Sequence, residues 1–156
     1  MVHVSDSLVW ELTQKHTSFM RKANGRTARS GAIRFSLEKG NVKSLSRFQC
    51  SGLANSKAVD VVCTKSADGK PTAAIVTKTR TKAATQPKKS MQSIPINSHF
   101  RRVEHVITQT TIANYYRPDL QKAVMAKWTK VYQANRRAKG VTKPVPTKKG
   151  RTSSKK

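Results

Sequence analysis

Residues 114–138, NYYRPDLQKAVMAKWTKVYQANRRA, constrain the fold more than any other stretch of the chain. Pro118 fixes φ and lacks an N–H, so it suits the first position of a helix. Asp119 follows it and sets a negative charge at the positive end of the helix dipole. At about 100° per residue, Leu120, Val124, Met125, Trp128, Val131 and Tyr132 fall on one continuous apolar face. Lys122, Thr129, Lys130, Gln133, Arg136 and Arg137 fall on the other, cationic face. A helix divided in this way lays one side on a protein core. Its other side is either a solvated basic surface or a seat for an anion.

Charge decides which of these deserves weight. The 156 residues, a length for one domain, carry 32 Lys and Arg against 7 Asp and Glu, a formal net charge of +25. A free domain so charged repels itself, and its working state belongs against a polyanion. Nucleic acid is the commonest such partner, because each neutralised phosphate releases a counterion. An anionic membrane surface is the rival. No stretch approaches the roughly 20 apolar residues of a transmembrane helix, and neither end shows a lipidation motif. The opening MVHVSDSLVWEL has no basic stretch before a long apolar run, so no secretory signal is expected. Cys50 and Cys63 are not a C-x-x-C pair and read as free thiols. An apolar fraction of 36% predicts a small core, with part of the chain ordered only by its partner.

In chain order, Ser5, Asp6 and Ser7 cap a short helix over LVWEL, with Leu8, Val9 and Leu12 as inward candidates. TSFMR, residues 17–21, reads as a strand. Lys22 to Asn41 reads as a basic loop, punctuated by Gly25, Gly31 and Gly40, with AIRFS extended. Ser44 to Ser56 reads as an irregular packed connection. KAVDVVCT (57–64) and AAIVTKTR (73–80) are strands, joined by Asp68-Gly69 turn chemistry into a hairpin. Alternation sets Val76, Lys78 and Arg80 on one face of the second strand, putting positive charge on an edge or outer face. Thr81 to Asn97, with two prolines and no period, reads as a loop. Asn97 or Ser98 then caps a helix carrying Phe100, Val103 and Ile107, which ends near Asn114. The tail beyond Gly140 is basic, interrupted by Pro144 and Pro146, and has no means to fold alone.

Enzyme signatures are missing. No phosphate-cradling G-x-x-x-x-G-K occurs, and the four histidines have no metal-ligand spacing with either cysteine. The carboxylates are dispersed. Phe19, Phe35, Phe48 and Phe100 fall mostly on apolar faces, which assigns them to the core. Tyr115 and Tyr116 are the exception: one of them could stack on a base or ribose.

The residues resemble a known family, the eukaryotic ribosomal protein 28 of the large (60S) subunit. Leu8-Val9-Trp10 with Thr17-Ser18-Phe19 and a basic pair resembles its opening. Phe48, Gly52-Leu53 and Lys57 with the valine-rich strand resemble its middle, and Tyr116-Arg117-Pro118-Asp119-Leu120 is the most specific stretch. Gly25 to Gly31 and Gln86 to Asn97 depart from the pattern. The resemblance implies a non-catalytic component of the cytosolic large subunit, reaching it through the nucleus and nucleolus. Its partners would be large-subunit ribosomal RNA and neighbouring ribosomal proteins, with no cofactor, metal, membrane or small-molecule substrate. Two alternatives stand beside it: a nucleolar assembly factor with a related domain, and a chromatin or DNA-compacting protein.

The expectation is therefore an α+β fold, a small antiparallel sheet packed with helices over residues 1–139, followed by a disordered basic extension, 140–156. Recognition of RNA shape and phosphate falls to Lys22, Arg34, Lys78, Arg80, Arg101, Arg102, Arg117, Lys122, Lys130, Arg136 and Arg137, and in the tail to Lys148, Lys149 and Arg151.

Overall fold

A computed structural model describes residues 4–22, 34–96 and 98–140. Helix α1 (Asp6–Thr13) starts where a serine before an apolar run should start it: the Ser5 hydroxyl accepts from the Leu8 amide at 3.4 Å. The expected inward residues need correction. Leu8 and Leu12 are exposed, and no residue of α1 is fully buried. The helix is tethered from another side. Trp10 lies against Phe48, with ring centroids 6.1 Å apart, and the Asp6 carboxylate accepts from the Ser56 amide at 2.9 Å.

Strands β1 (Met20–Lys22) and β2 (Arg34–Ser36) form a two-stranded antiparallel sheet. β1 starts later than expected because the Met20 amide donates to the Thr17 carbonyl in a turn. Most of the glycine-containing loop lies outside the described residues. The connection over residues 44–56 is irregular and packed, with Cys50, Ser51, Gly52 and Ala54 buried. It crosses the Lys39-Gly40 backbone at Gly52, where a Cβ would stand 2.0 Å from the Lys39 carbonyl oxygen. Only glycine permits that approach.

The main sheet has the order β3 (Val59–Lys65), β4 (Pro71–Lys78), β5 (Met91–Pro95), antiparallel throughout. Gly69, at φ +72°, turns the β3–β4 hairpin as its sequence requires. Two expectations are revised here. β4 is the middle strand, so of the edge or outer face expected for Lys78 the edge is excluded, and the strand ends at Lys78, leaving Arg80 outside it. The stretch read as a loop holds helix α2 (Arg80–Thr85), a 3-10 turn (Pro87–Lys89) and β5. β5 escaped because its residues from Gln92 to Pro95 are exposed. No burial pattern marks it, and it owes its conformation to ladder bonds with β4.

Helix α3 (Val103–Thr108) begins after a turn in which the Arg102 amide donates to the His99 carbonyl, later than the cap expected at Asn97 or Ser98. It runs into a π turn (Gln109–Ala113). Pro118 then opens a 3-10 turn (Pro118–Leu120) that leads into α4 (Gln121–Ala138). The predicted apolar face is the buried one: Leu120, Val124, Trp128 and Val131 pack on Val59, Val61, Ala73 and Ile75 of the sheet and on Val103 and Ile107 of α3. Each such fully buried side chain contributes roughly 1.5–3 kcal/mol. Phe100 joins this core in part, 5.9 Å from the Trp128 ring and 4.6 Å from that of Tyr132. Phe19, Phe35 and Phe48 do not, and are exposed. Phe35 lies on β2 and Phe19 just before β1, while Phe48, in the connection, meets the Trp10 ring of α1 on one side. The fold is α+β, two small antiparallel sheets packed with helices. The tail expected to be disordered, 141–156, lies outside the described residues.

Candidate nucleic-acid interface

The corner before α4 decides how its cationic face is aimed. The Tyr116 hydroxyl accepts from the amides of Ala58 and Lys78, at 3.1 and 2.9 Å. It has the carbonyls of Lys78 and Ala58 within donating distance, at 2.5 and 3.1 Å. Burial raises its pKa, which keeps the donor proton in place. Tyr116 is thus pinned to the adjacent ends of β3 and β4. Arg117 donates to the carbonyls of Lys57 and Gln49, at 2.8 and 2.6 Å, and grips the Asp119 carboxylate through Nε and Nη2 at 2.9 and 2.8 Å. That bond holds the Asp119 carboxyl below the usual carboxylate range. Asp119 therefore anchors Arg117 as well as facing the helix dipole.

Two sequence candidates are occupied inside the fold. The Arg117 guanidinium is engaged as described. The Lys78 ammonium donates to the carbonyls of Gly52, Leu53 and Asn55, at 2.9, 3.0 and 2.8 Å. Burial pulls the Lys78 pKa down, partly opposed by the negative charges of Asp6 and Glu38. Both side chains pin loops, which their sequence positions did not reveal.

Others are brought together. Lys122, Lys130 and Arg137 are exposed on α4. At 1.5 Å rise per residue they form a stripe about 22 Å long, with Ala126 and Gln133 between them. Arg101 and Arg102 are exposed just before α3. Arg101 lines a shallow groove of about 250 Å³ with Glu104 of α3 and Ala126 and Thr129 of α4, which places it beside the stripe. At the far end of α4, Arg136 lies 6.0 Å from the Tyr132 ring and borders a groove of about 310 Å³ with Thr72, Asn135 and Lys139. Lys127, also on α4, is not part of the stripe: it pairs with buried Asp60 at 2.5 Å.

The remaining candidates are scattered. Arg80 is exposed at the start of α2, and Arg34 is exposed on β2. The register sets Lys22 directly opposite Arg34 on the neighbouring strand. Lys148, Lys149 and Arg151 fall outside the described residues. Lys88 and Lys89, exposed on the turn before β5, are further cations that the loop reading passed over.

Acid placement sharpens the charge. Of the seven acidic residues, Asp60 pairs with Lys127 and Asp119 with Arg117. Asp6 caps the Ser56 amide, and buried Glu38 accepts from Asn41 and Ser51. Four of the seven are thus engaged by the fold, while Glu11, Asp68 and Glu104 are exposed, Glu104 in the groove beside Arg101. Among the described residues, no group of His, Cys, Asp and Glu could hold a metal ion, and no helix is long and apolar enough to cross a membrane.

What these features define is a small basic α+β domain with one assembled cationic helix face. The sequence model of the Ribosomal L28e protein family matches residues 8–134. A protein of Caenorhabditis elegans named large ribosomal subunit protein eL28 is 33% identical over 132 residues, covering 80% of this chain and 98% of its own length. The chain belongs to the ribosomal L28e protein family.

Proposed function

We propose that this protein is a structural constituent of the cytosolic large ribosomal subunit, binding and stabilising large-subunit rRNA without catalysing a reaction. Family membership supports the assignment to the subunit. The single observation that carries RNA binding is the alignment of Lys122, Lys130 and Arg137 along one exposed face of α4, with Arg101 beside them. A straight stripe of cations reads phosphate spacing and helix shape, not base identity. Lys22, Arg34, Arg80, Arg102 and Arg136 extend the contact. The tail cations Lys148, Lys149 and Arg151 would follow RNA along an extended path. Leu8 and Leu12, on the least cationic helix, suit a neighbouring ribosomal protein. The route to the subunit would pass through the nucleus and nucleolus.

The test has two parts. In a sucrose gradient the endogenous protein should follow the large subunit, monosomes and polysomes. Confinement to pre-ribosomes would make it an assembly factor, and retention on DNA a chromatin protein. Replacing Lys122, Lys130 and Arg137 by Gln should flatten log affinity against log salt by about 2–3 units, at roughly 0.7–0.9 per phosphate lost. An unchanged slope would remove the α4 stripe from the interface.

A further inference from the structure

The α3 helix and its π turn end in a Schellman motif: the Tyr116 amide donates to the Thr111 carbonyl at 3.1 Å and the Tyr115 amide to the Ile112 carbonyl at 2.8 Å. This geometry needs a left-handed residue at the position Tyr115 occupies, and Tyr115 has φ +45°. Glycine is the usual occupant, because a Cβ is strained there. Tyr115 instead carries a full phenol ring and leaves the residue 82% exposed. Packing does not account for that choice, since the ring is the most exposed of the large hydrophobic side chains among the described residues. The backbone beneath it is held rigidly by Tyr116 on the sheet and by Arg117 on Lys57, Gln49 and Asp119. A ring projected from an anchored corner loses little freedom on binding.

We propose that Tyr115 stacks on an unpaired base of the bound RNA, supplying a base-directed contact beside a phosphate-reading surface. This rests on the RNA-binding reading above. Of the two tyrosines, Tyr116 cannot take the role, because its hydroxyl and half its surface are committed to the sheet. Aromatic stacking is indifferent to base identity and needs a base outside a duplex.

The experiment compares native protein, Tyr115→Gly and Tyr115→Trp on a large-subunit rRNA transcript and on a fully paired RNA of equal length, each across a salt series. Tyr115→Gly should keep or raise the thermal midpoint, since glycine suits the left-handed position. It should bind the rRNA roughly 5- to 150-fold more weakly, the range of one aromatic stack. Its salt slope should stay native, its duplex affinity should not change, and Tyr115→Trp should bind the rRNA as the native chain does. Native affinity of Tyr115→Gly for rRNA, or an equal loss on duplex, overturns the stacking and leaves the phosphate reading intact. Native protein that shows no salt-dependent RNA binding at all removes both.

Discussion

The hydroxyl of Tyr116 lies 2.9 Å from the backbone nitrogen of Lys78, and the Lys78 ammonium in turn reaches the carbonyls of Gly52, Leu53 and Asn55. One residue pair thus links the α4 corner, the end of β4 and the packed connection. Tyr116→Phe removes the hydroxyl and leaves the amide of Ala58, just before β3, short of its partner, while the Lys78 amide keeps the Ala58 carbonyl. It should cost about 1–3 kcal/mol, read as a lowered urea midpoint at unchanged slope.

Lys78→Met keeps the aliphatic stem and deletes the ammonium. Three carbonyls then lose their donor, and a loss of about 1–3 kcal/mol is expected. Because Lys78 is engaged inside the fold, the refolded variant should bind RNA with the native salt slope. A shallower slope would return Lys78 to the interface.

Trp128 is 5% exposed and stacks on Phe100. Trp128→Ala opens a cavity between α4 and the start of α3, and should cost roughly 3–5 kcal/mol. A chemical-denaturation curve matching the native one would contradict the packing.

Gly52→Ala places a methyl group 2.0 Å from the Lys39 carbonyl oxygen, against backbone that cannot swing aside. The loss should reach about 3 kcal/mol or more, at the upper end of overpacking. Gly69→Ala, with open space around it, makes the control: its strain is confined to the left-handed φ. Thermal melts of the two should rank Gly52→Ala as the more damaging.

The folded pKa of Asp119 is depressed by Arg117. Its stabilisation is therefore complete above the unfolded carboxylate value of about 3.9 and lost as pH falls through the lower folded value. Asp119→Asn should be less stable than the native chain at pH 7, with the gap closing below pH 4. Urea midpoints at several pH values check this.

The tail is tested by deletion of residues 140–156. If its cations touch phosphate, the salt slope on large-subunit RNA should flatten by several units, at roughly 0.7–0.9 per contact. Equal slopes would leave nuclear import as the better explanation of its charge.

What the sequence determined by itself was whatever depends on local periodicity and turn chemistry. The α4 face from Leu120 to Val131, the Pro118 start, the Ser5 cap and the Gly69 hairpin are settled by neighbours three or four residues away, so they were legible. The net charge was legible too, because counting needs no coordinates. Only the tertiary structure decided which charges face outward. Lys78 and Lys122 look alike as letters, yet one meets three carbonyls from residues 52–55 and the other meets solvent. Strand β5 was invisible for the same reason: Met91–Pro95 takes its conformation from β4 and buries almost nothing of its own. Leu8, Leu12, Phe19, Phe35 and Phe48 announced apolarity without saying whether a second layer exists to cover it. Tyr115 and Tyr116, adjacent and identical, were separated only by a helix end that turns one ring onto the sheet and the other into solvent. Long-range contacts made those decisions, and no window along the chain contains both of their partners.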